Sequence, residues 1–311
     1  TTLIIFFLMR QILDYSHKFP YDNEKPINKI VSLTRNTSMK RTIALLFLFM
    51  SVTGWADTIS IGDTALDIPN PHGFAAVTPQ MTTVYEFQKR FVAPDAEQFI
   101  AFIPESALPL ALKGEMPDLT RTFSVQTAKK IIDIPVSIAD FSKLKHDIKT
   151  QYEDTFKRVE KQVPDLMGKI NEGITKQYKV NPALSVSQTI PLPPHQETDR
   201  TLAFSAFVKY NVNDVSGNSA SYVTVVTTTF VHVKSKVLFL ISYAEEDGLE
   251  WSREISKQWA NAIVEANPSD FQSSVKTRNY LDVFIKYAVL GGLVGVIVIL
   301  IIWASNRRKS S

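Results

Sequence analysis

Two apolar segments bracket this chain and confine its folded part to the stretch between them. The first, MKRTIALLFLFMSVTGWA from Met39, has a basic start, an apolar run from Ile43 to Met50, and the small residues Gly54 and Ala56 before Asp57, the layout of a secretory signal peptide. The second runs from Val283 to Trp303 with Lys286 as its only charge, long enough to cross a hydrocarbon layer as a helix. The expected organisation is a signal peptide over 39–56, an external domain over 57–270, a juxtamembrane linker over 271–282, a transmembrane helix over 283–303 and a basic tail over 304–311. An exported N-terminus followed by a stop-transfer helix leaves Arg307, Arg308 and Lys309 in the cytoplasm, as the positive-inside tendency requires. Lys286, a turn inside the outer end, can extend its ammonium to the headgroups. The 38 residues before Met39 read as a disordered upstream extension: Leu3–Met9 is too short to span, and the remainder is polar and broken by Pro20 and Pro26.

Charge and cysteine content narrow the compartment. Of the chain's 34 Lys and Arg, 23 lie between Asp57 and Asp282, against 28 Asp and Glu, a net charge of −5 that argues against nucleic acid as a partner. The absence of cysteine removes disulfides, thiolate metal sites and cysteine nucleophiles together. The external region also lacks an N-x-S/T acceptor, so the expected setting is the bacterial inner membrane with the main domain in the periplasm.

Periodicity predicts an α+β fold, an antiparallel sheet packed by helices on one face. TISIGDTALDIP reads as a hairpin around Gly62 and Asp63, NPHGF as a turn, and Thr78 with Pro79 as the start of a helix whose face holds Met81, Val84, Tyr85, Gln88 and Phe91. EQFIAFIP and TRTFSVQTA are strand candidates. From Phe141 to Tyr178, apolar residues recur every three or four positions, giving a long amphipathic helical insertion that Pro164 kinks or breaks. The period then falls to two. Leu202, Phe204, Ala206, Val208, Tyr210 and Val212 share one strand face opposite Thr201, Ser205, Lys209 and Asn211; a turn at Asp214–Asn218, a β-branched strand and KVLFLISYA complete a three-stranded meander. A last helix carries Trp251, Ile255, Trp259 and Ile263 as its apolar stripe, and Pro268 ends it.

Four histidines lie in the external domain. His72 sits in a turn, His146 on the outer side of the long helix, His195 in a loop after PLPP and His232 on a strand; no two have metal-ligand spacing, and a structural imidazole accounts for each. Glu245, Glu246, Asp247 and Glu250 could supply oxygens to a divalent cation, but a helix cap is the simpler reading, with Asp247 at the N-cap and Glu250 three residues on. SKLK at Ser142 and SSVK at Ser273 match S-x-x-K without its partner motifs, and no nucleotide-binding, nucleophile-elbow or metalloprotease motif is present, so no catalytic residue, cofactor or metal is expected. Gly291 and Gly295, with Ala288 and Gly292 one face over, would let two membrane helices approach closely, a route to a homodimer.

LDIPNPHGF, followed by strands, a meander and a closing Trp-containing helix, resembles the PsbP-type α/β fold over Ala65 to Asn267, departing from it in the insertion from Phe141 to Tyr178. That resemblance implies a binding or assembly accessory without catalytic residues and transfers no site residue. The expected function is therefore a single-pass membrane protein whose periplasmic domain binds an envelope protein or small ligand. The alternative is an envelope hydrolase with a dispersed site built on His72 or His195 and a carboxylate, which a deep pocket gathering both groups would favour.

Overall fold

Strands of period two and helices of period 3.6 alternate over residues 56–268, the part that the computed structural model describes, except 90, 91, 94, 151–153, 155, 156, 158–160, 162, 179–182 and 214–218. These residues fall in one of two units into which the chain divides; the other, Thr1–Thr53, lies outside the described residues. The signal segment up to residue 55, the turn at 214–218 and the apolar run 283–303 with Gly291 and Gly295 are outside them as well. Among the described residues no helix is long and apolar enough to cross a membrane.

The elements in order are β1 (Ala56–Ile61), β2 (Thr64–Pro69), β3 (Phe74–Ala76), α1 (Thr82–Lys89), β4 (Ala96–Pro104), α2 (Leu108–Leu112), β5 (Thr122–Ala128), α3 (Ile138–Thr150), α4 (Val163–Tyr178), β6 (Ala183–Pro191), β7 (Gln196–Glu197), β8 (Thr201–Asn213), β9 (Ser219–Val233), β10 (Lys236–Glu245) and α5 (Leu249–Ala266). β1 and β2 form a separate hairpin, and the main antiparallel sheet runs β3-β4-β5-β10-β9-β8-β6, with β7 beside β8. The meander is as the alternation requires: all six apolar residues of β8 enter one core.

Helices cover both faces of this sheet, not one. On the first face Val84 and Phe87 of α1, Phe141, Leu144 and Ile148 of α3, and Val163 and Met167 of α4 pack against β8, Phe230 and Phe239. Within the long insertion α3 ends at Thr150 and α4 begins at Val163, with Asp154 and Lys157 also helical between them and Pro164 in the first turn of α4, where its missing N–H costs nothing. On the other face the β1–β2 hairpin and α5 share a second core, in which Phe74, Phe102, Phe123, Trp251 and Trp259 form an aromatic cluster. Phe123 meets Phe74 at 4.7 Å and Trp259 at 5.2 Å between ring centroids, both edge to face, the arrangement that ring quadrupoles favour. Trp259 Nε1 donates to the Pro69 carbonyl at 2.7 Å, and buried Asn267 clasps both backbone groups of Asp67, tying the end of α5 to β2.

Three local expectations are corrected. Helix α1 begins at Thr82, because Thr78–Met81 closes as a turn, with Met81 N–H donating to the Thr78 carbonyl at 3.0 Å. Asp247 caps nothing: Glu246–Gly248 is a 3₁₀ turn, and the N-cap of α5 is Gly248 with no side-chain cap bond. Gly248 is there for space, since a Cβ would lie 2.6 Å from that of Ala244. The sheet-facing side of α5 is also not the Trp251, Ile255, Trp259, Ile263 stripe alone; Ser252 and Ser256 are buried while Trp251 and Ile255 are only half-buried.

The edge strand β6 is closed to further pairing by three devices. Asn171 of α4 donates to the Leu184 carbonyl at 2.9 Å and accepts from the Leu184 N–H at 3.2 Å, imitating a neighbouring strand. A bulge between Val186 and Gln188 breaks the register, and Pro191 ends the strand without an N–H. Such features keep a free edge from templating a second chain.

Candidate functional site

Buried hydroxyls line the join between α5 and the sheet. Ser252 donates to Thr227 at 2.8 Å, and Ser242 lies 2.7 Å from Ser252 and 2.8 Å from Ser256, while Thr227 lies 2.9 Å from Ser205. A hydroxyl has one proton, so with Ser252 committed to Thr227 the order must run Ser256 to Ser242 to Ser252 to Thr227. Its members are shut off from solvent, and the chain joins α5 to the sheet as a packing device.

Beside it stands the β7–β8 hairpin. Its Thr198 N–H donates to the Thr201 carbonyl at 3.0 Å, and the preceding His195 N–H donates to Ala203 at 3.0 Å. Gln196 pairs with Ala203, which pairs with Thr229, so Gln196 and Thr229 share the face that α5 covers. Glu197 points to the opposite face and meets Lys149 at 2.7 Å and Lys145 at 3.4 Å from α3; Lys145 also donates to the Thr198 carbonyl. Both ring nitrogens of His195, Gln196 Oε1, Thr229 Oγ1 and Arg253 Nε are sealed from solvent without a hydrogen-bond partner. Burial, and then the positive charge of Arg253, lower the His195 imidazole to about 4 against the pull of Glu250, so it is neutral at physiological pH.

His232 lies under the other side of the hairpin. Its Nε2 is 2.7 Å from the Val136 carbonyl, its ring stacks on Phe141 at 5.3 Å, and its backbone N–H donates to the Arg200 carbonyl at 2.9 Å. Burial lowers its pKa despite the bond to Val136, and Arg200 adds to the depression. His72 is exposed in the Pro71–Phe74 turn and His146 is exposed on α3. The structure therefore brings His195 near Glu250 and Arg253, and His232 near Arg200, but leaves His72 and His146 apart from both. Glu245, Glu246, Asp247 and Glu250 are all exposed; Glu250 pairs with Arg253 at 3.3 Å, and among the described residues no three His, Asp or Glu side chains gather to hold a metal ion.

A groove of about 220 Å³ opens where α5 leaves the sheet uncovered. Ile190, Phe207 and Val223 make its apolar lining and Gln188, Lys209 and Glu246 its polar one. The registers Gln188 to Lys209, Ile190 to Phe207 and Lys209 to Val223 put all five strand residues on one face. Sequence reasoning missed this groove. Its signal was Phe207, the one large apolar residue on the face of β8 that also carries Thr201, Ser205, Lys209 and Asn211, with Ile190 left 46% exposed beside it.

No family model matches the chain, and no curated protein matches it. Among solved structures it is similar to the solution structure of cyanobacterial PsbP (CyanoP) from Synechocystis sp. PCC 6803, at 9% identity over 68% of this chain and 91% of that one, with a TM-score of 0.23. The resemblance is at the level of the fold and assigns no residue a role.

Proposed function

We propose that this protein is a single-pass inner-membrane protein whose periplasmic α+β domain binds an envelope partner without catalysing a reaction, anchored by a transmembrane helix over 283–303 in which Gly291 and Gly295 offer a homodimer contact. The observation that carries the binding role is the groove at Ile190, Phe207 and Val223: an apolar surface lined also by one cation, Lys209, and one anion, Glu246, left open on the face that α5 and the β1–β2 hairpin pack against. The hydrolase reading has one observation in its favour, the approach of His195 to Glu250 and Arg253, but a general base needs a free ring nitrogen and both of these are sealed.

Because the chain has no cysteine, single cysteines report both topology and contact. His146→Cys is expected to react with a membrane-impermeant maleimide in intact spheroplasts, and Ser310→Cys only after lysis; the reverse pattern would sink the topology. A photo-crosslinker at Phe207 is expected to capture a defined envelope protein that the same probe at His146 does not. Equal capture from both positions, or none from Phe207, removes the groove from the binding role.

A further inference from the structure

The groove at Ile190, Phe207 and Val223 carries two opposite charges set apart by register. Lys209 pairs with Gln188 on one side and with Val223 on the other, and Glu245 pairs with Thr224, so Glu246 follows on the far side of Val223 from Lys209. Two strand spacings, about 9–10 Å, thus separate a cation from an anion, with the apolar lining between and beside them. Among the described residues neither Lys209 nor Glu246 has an ion-pair partner. At about 220 Å³ the groove is smaller than the roughly 300–1,000 Å³ of small-molecule sites, so it suits a few side chains of a polypeptide segment. The β6 edge beside it is closed by Asn171, a bulge and Pro191, so such a segment docks through side chains and not by strand addition.

The chain itself carries a segment of matching chemistry within reach. Arg278, Tyr280, Leu281 and Asp282 supply a base, two large apolar residues and an acid directly before the apolar run that starts at Val283. They lie outside the described residues. Helix α5, 18 residues and about 27 Å long, starts three residues after Glu246 and leads to Asn267, which bonds Asp67. The eleven steps from Asn267 to Arg278 (278 − 267) span at most about 36–40 Å, enough to return along α5 to Glu246. The order of charges agrees as well. Later in α5, Trp259 packs on Phe102 of β4 and Phe123 of β5, on the β10 side of the sheet. A chain returning from that side meets Glu246 before Lys209, just as Arg278 precedes Asp282.

We propose that Arg278–Asp282 of the same chain occupies this groove, with Arg278 on Glu246, Tyr280 and Leu281 on the apolar lining and Asp282 on Lys209, an internal occupant that an envelope partner must displace. The inference rests on the reading of the groove as a binding site and adds its regulation. Exposed ion pairs contribute little singly, but a tethered segment meets its site at an effective concentration in the millimolar range. Two such pairs around two apolar contacts therefore hold the segment in place while leaving it open to competition.

Paired cysteines in the full-length, membrane-embedded chain test this, since the chain has none of its own. Phe207→Cys with Leu281→Cys is expected to form an intramolecular disulfide under mild oxidation, identified by mass spectrometry of the linked peptides. Its rate should exceed that of His146→Cys with Leu281→Cys by about tenfold or more. No excess over that reference pair overturns the proposal. A link that forms only between chains carrying the two cysteines singly also overturns it and makes the occupant a second copy. Lys209→Glu is expected to slow linking about two- to fivefold, and Asp282→Lys in the same chain to restore it; a rate unchanged by either removes the Lys209–Asp282 contact on which the register depends. Should Phe207→Cys not fold, Ile190→Cys takes its place. Failure here and failure of the binding role read differently: capture of an envelope protein at Phe207 without a cysteine link removes only the internal occupant, whereas a link without capture keeps it and removes the partner.

Discussion

The two faces of the sheet are built on different chemistry. The face under α3 and α4 is apolar, closed by Phe141, Leu144, Ile148, Val163 and Met167, whereas under α5 the contact between helix and strands passes through Ser205, Thr227, Ser242, Ser252 and Ser256 before reaching the aromatic cluster. An apolar face is held by area removed from water, which tolerates small shifts of the covering helix. A chain of hydroxyls fixes the helix in rotation and height, because each member has one proton and a narrow range of distances in which to place it. The groove and the sealed histidine both lie at the margin of this second face, where the covering helix is positioned most strictly.

Removing volume from the first face should give the largest effect. Phe141 is fully buried and stacks on His232, so Phe141→Ala is expected to lower unfolding free energy by about 3–5 kcal/mol, measured by denaturant titration. The loss should also free the His232 ring, seen as a rise in its titration midpoint by NMR. A loss under about 1 kcal/mol would mean that α3 is dispensable to the core and would break the comparison at its stronger side.

The first face was legible in the sequence and the second was not, for the same physical reason. Apolar residues at steps of two in β8 and at steps of three and four from Phe141 announce buried surfaces because burial of hydrocarbon leaves a period. Ser252 and Ser256 are equally buried but polar, and a stripe search passes over them in favour of Trp251 and Ile255, which are only half-covered. The same omission hid the second layer of helix. The hairpin at Gly62 and Asp63 was readable because its turn needs a positive φ, +59° at Gly62, whereas the β9–β10 turn places Lys234 at +44° and Ser235 at +61°, residues that do not advertise that geometry. Tertiary contacts hold it: the Ser235 carbonyl accepts from Val136 at 2.8 Å, and Lys234 Nζ donates to the Ala65 carbonyl at 3.1 Å. The neighbours of His195 come from α5, more than fifty positions away, so no local spacing could reveal them.

Removing one oxygen from the second face sharpens the comparison. Ser252→Ala deletes a group that bonds both Thr227 and Ser242, and leaving buried partners unsatisfied is expected to cost about 1–3 kcal/mol, although almost no volume is lost. Adding Thr227→Val and Ser242→Ala removes those two orphans but leaves buried Ser205 and Ser256 without their bonds, so no recovery is expected. If the single variant is neutral in denaturant titration, the hydroxyls are incidental and the two faces do not differ in kind.

The smallest effect is expected where α3 meets the β7–β8 hairpin at the surface. Lys149 and Glu197 are 2.7 Å apart but 41% and 39% exposed, so solvent and salt screen the pair and Lys149→Ala should cost no more than about 0.2–1 kcal/mol. The sign of its pH dependence is still informative. Glu197 is held below its ordinary range first by the Lys149 bond, so the pair contributes at neutral pH and its contribution disappears as acid protonates the carboxyl. Denaturation midpoints of the Lys149→Ala and unsubstituted chains should therefore differ slightly at neutral pH and converge in strong acid. A difference that persists there would assign the loss to the packing of the lysine stem on α3, and the hairpin would then be held on this side by Lys145 alone, whose ammonium is nearly buried and bonds both Glu197 and the Thr198 carbonyl.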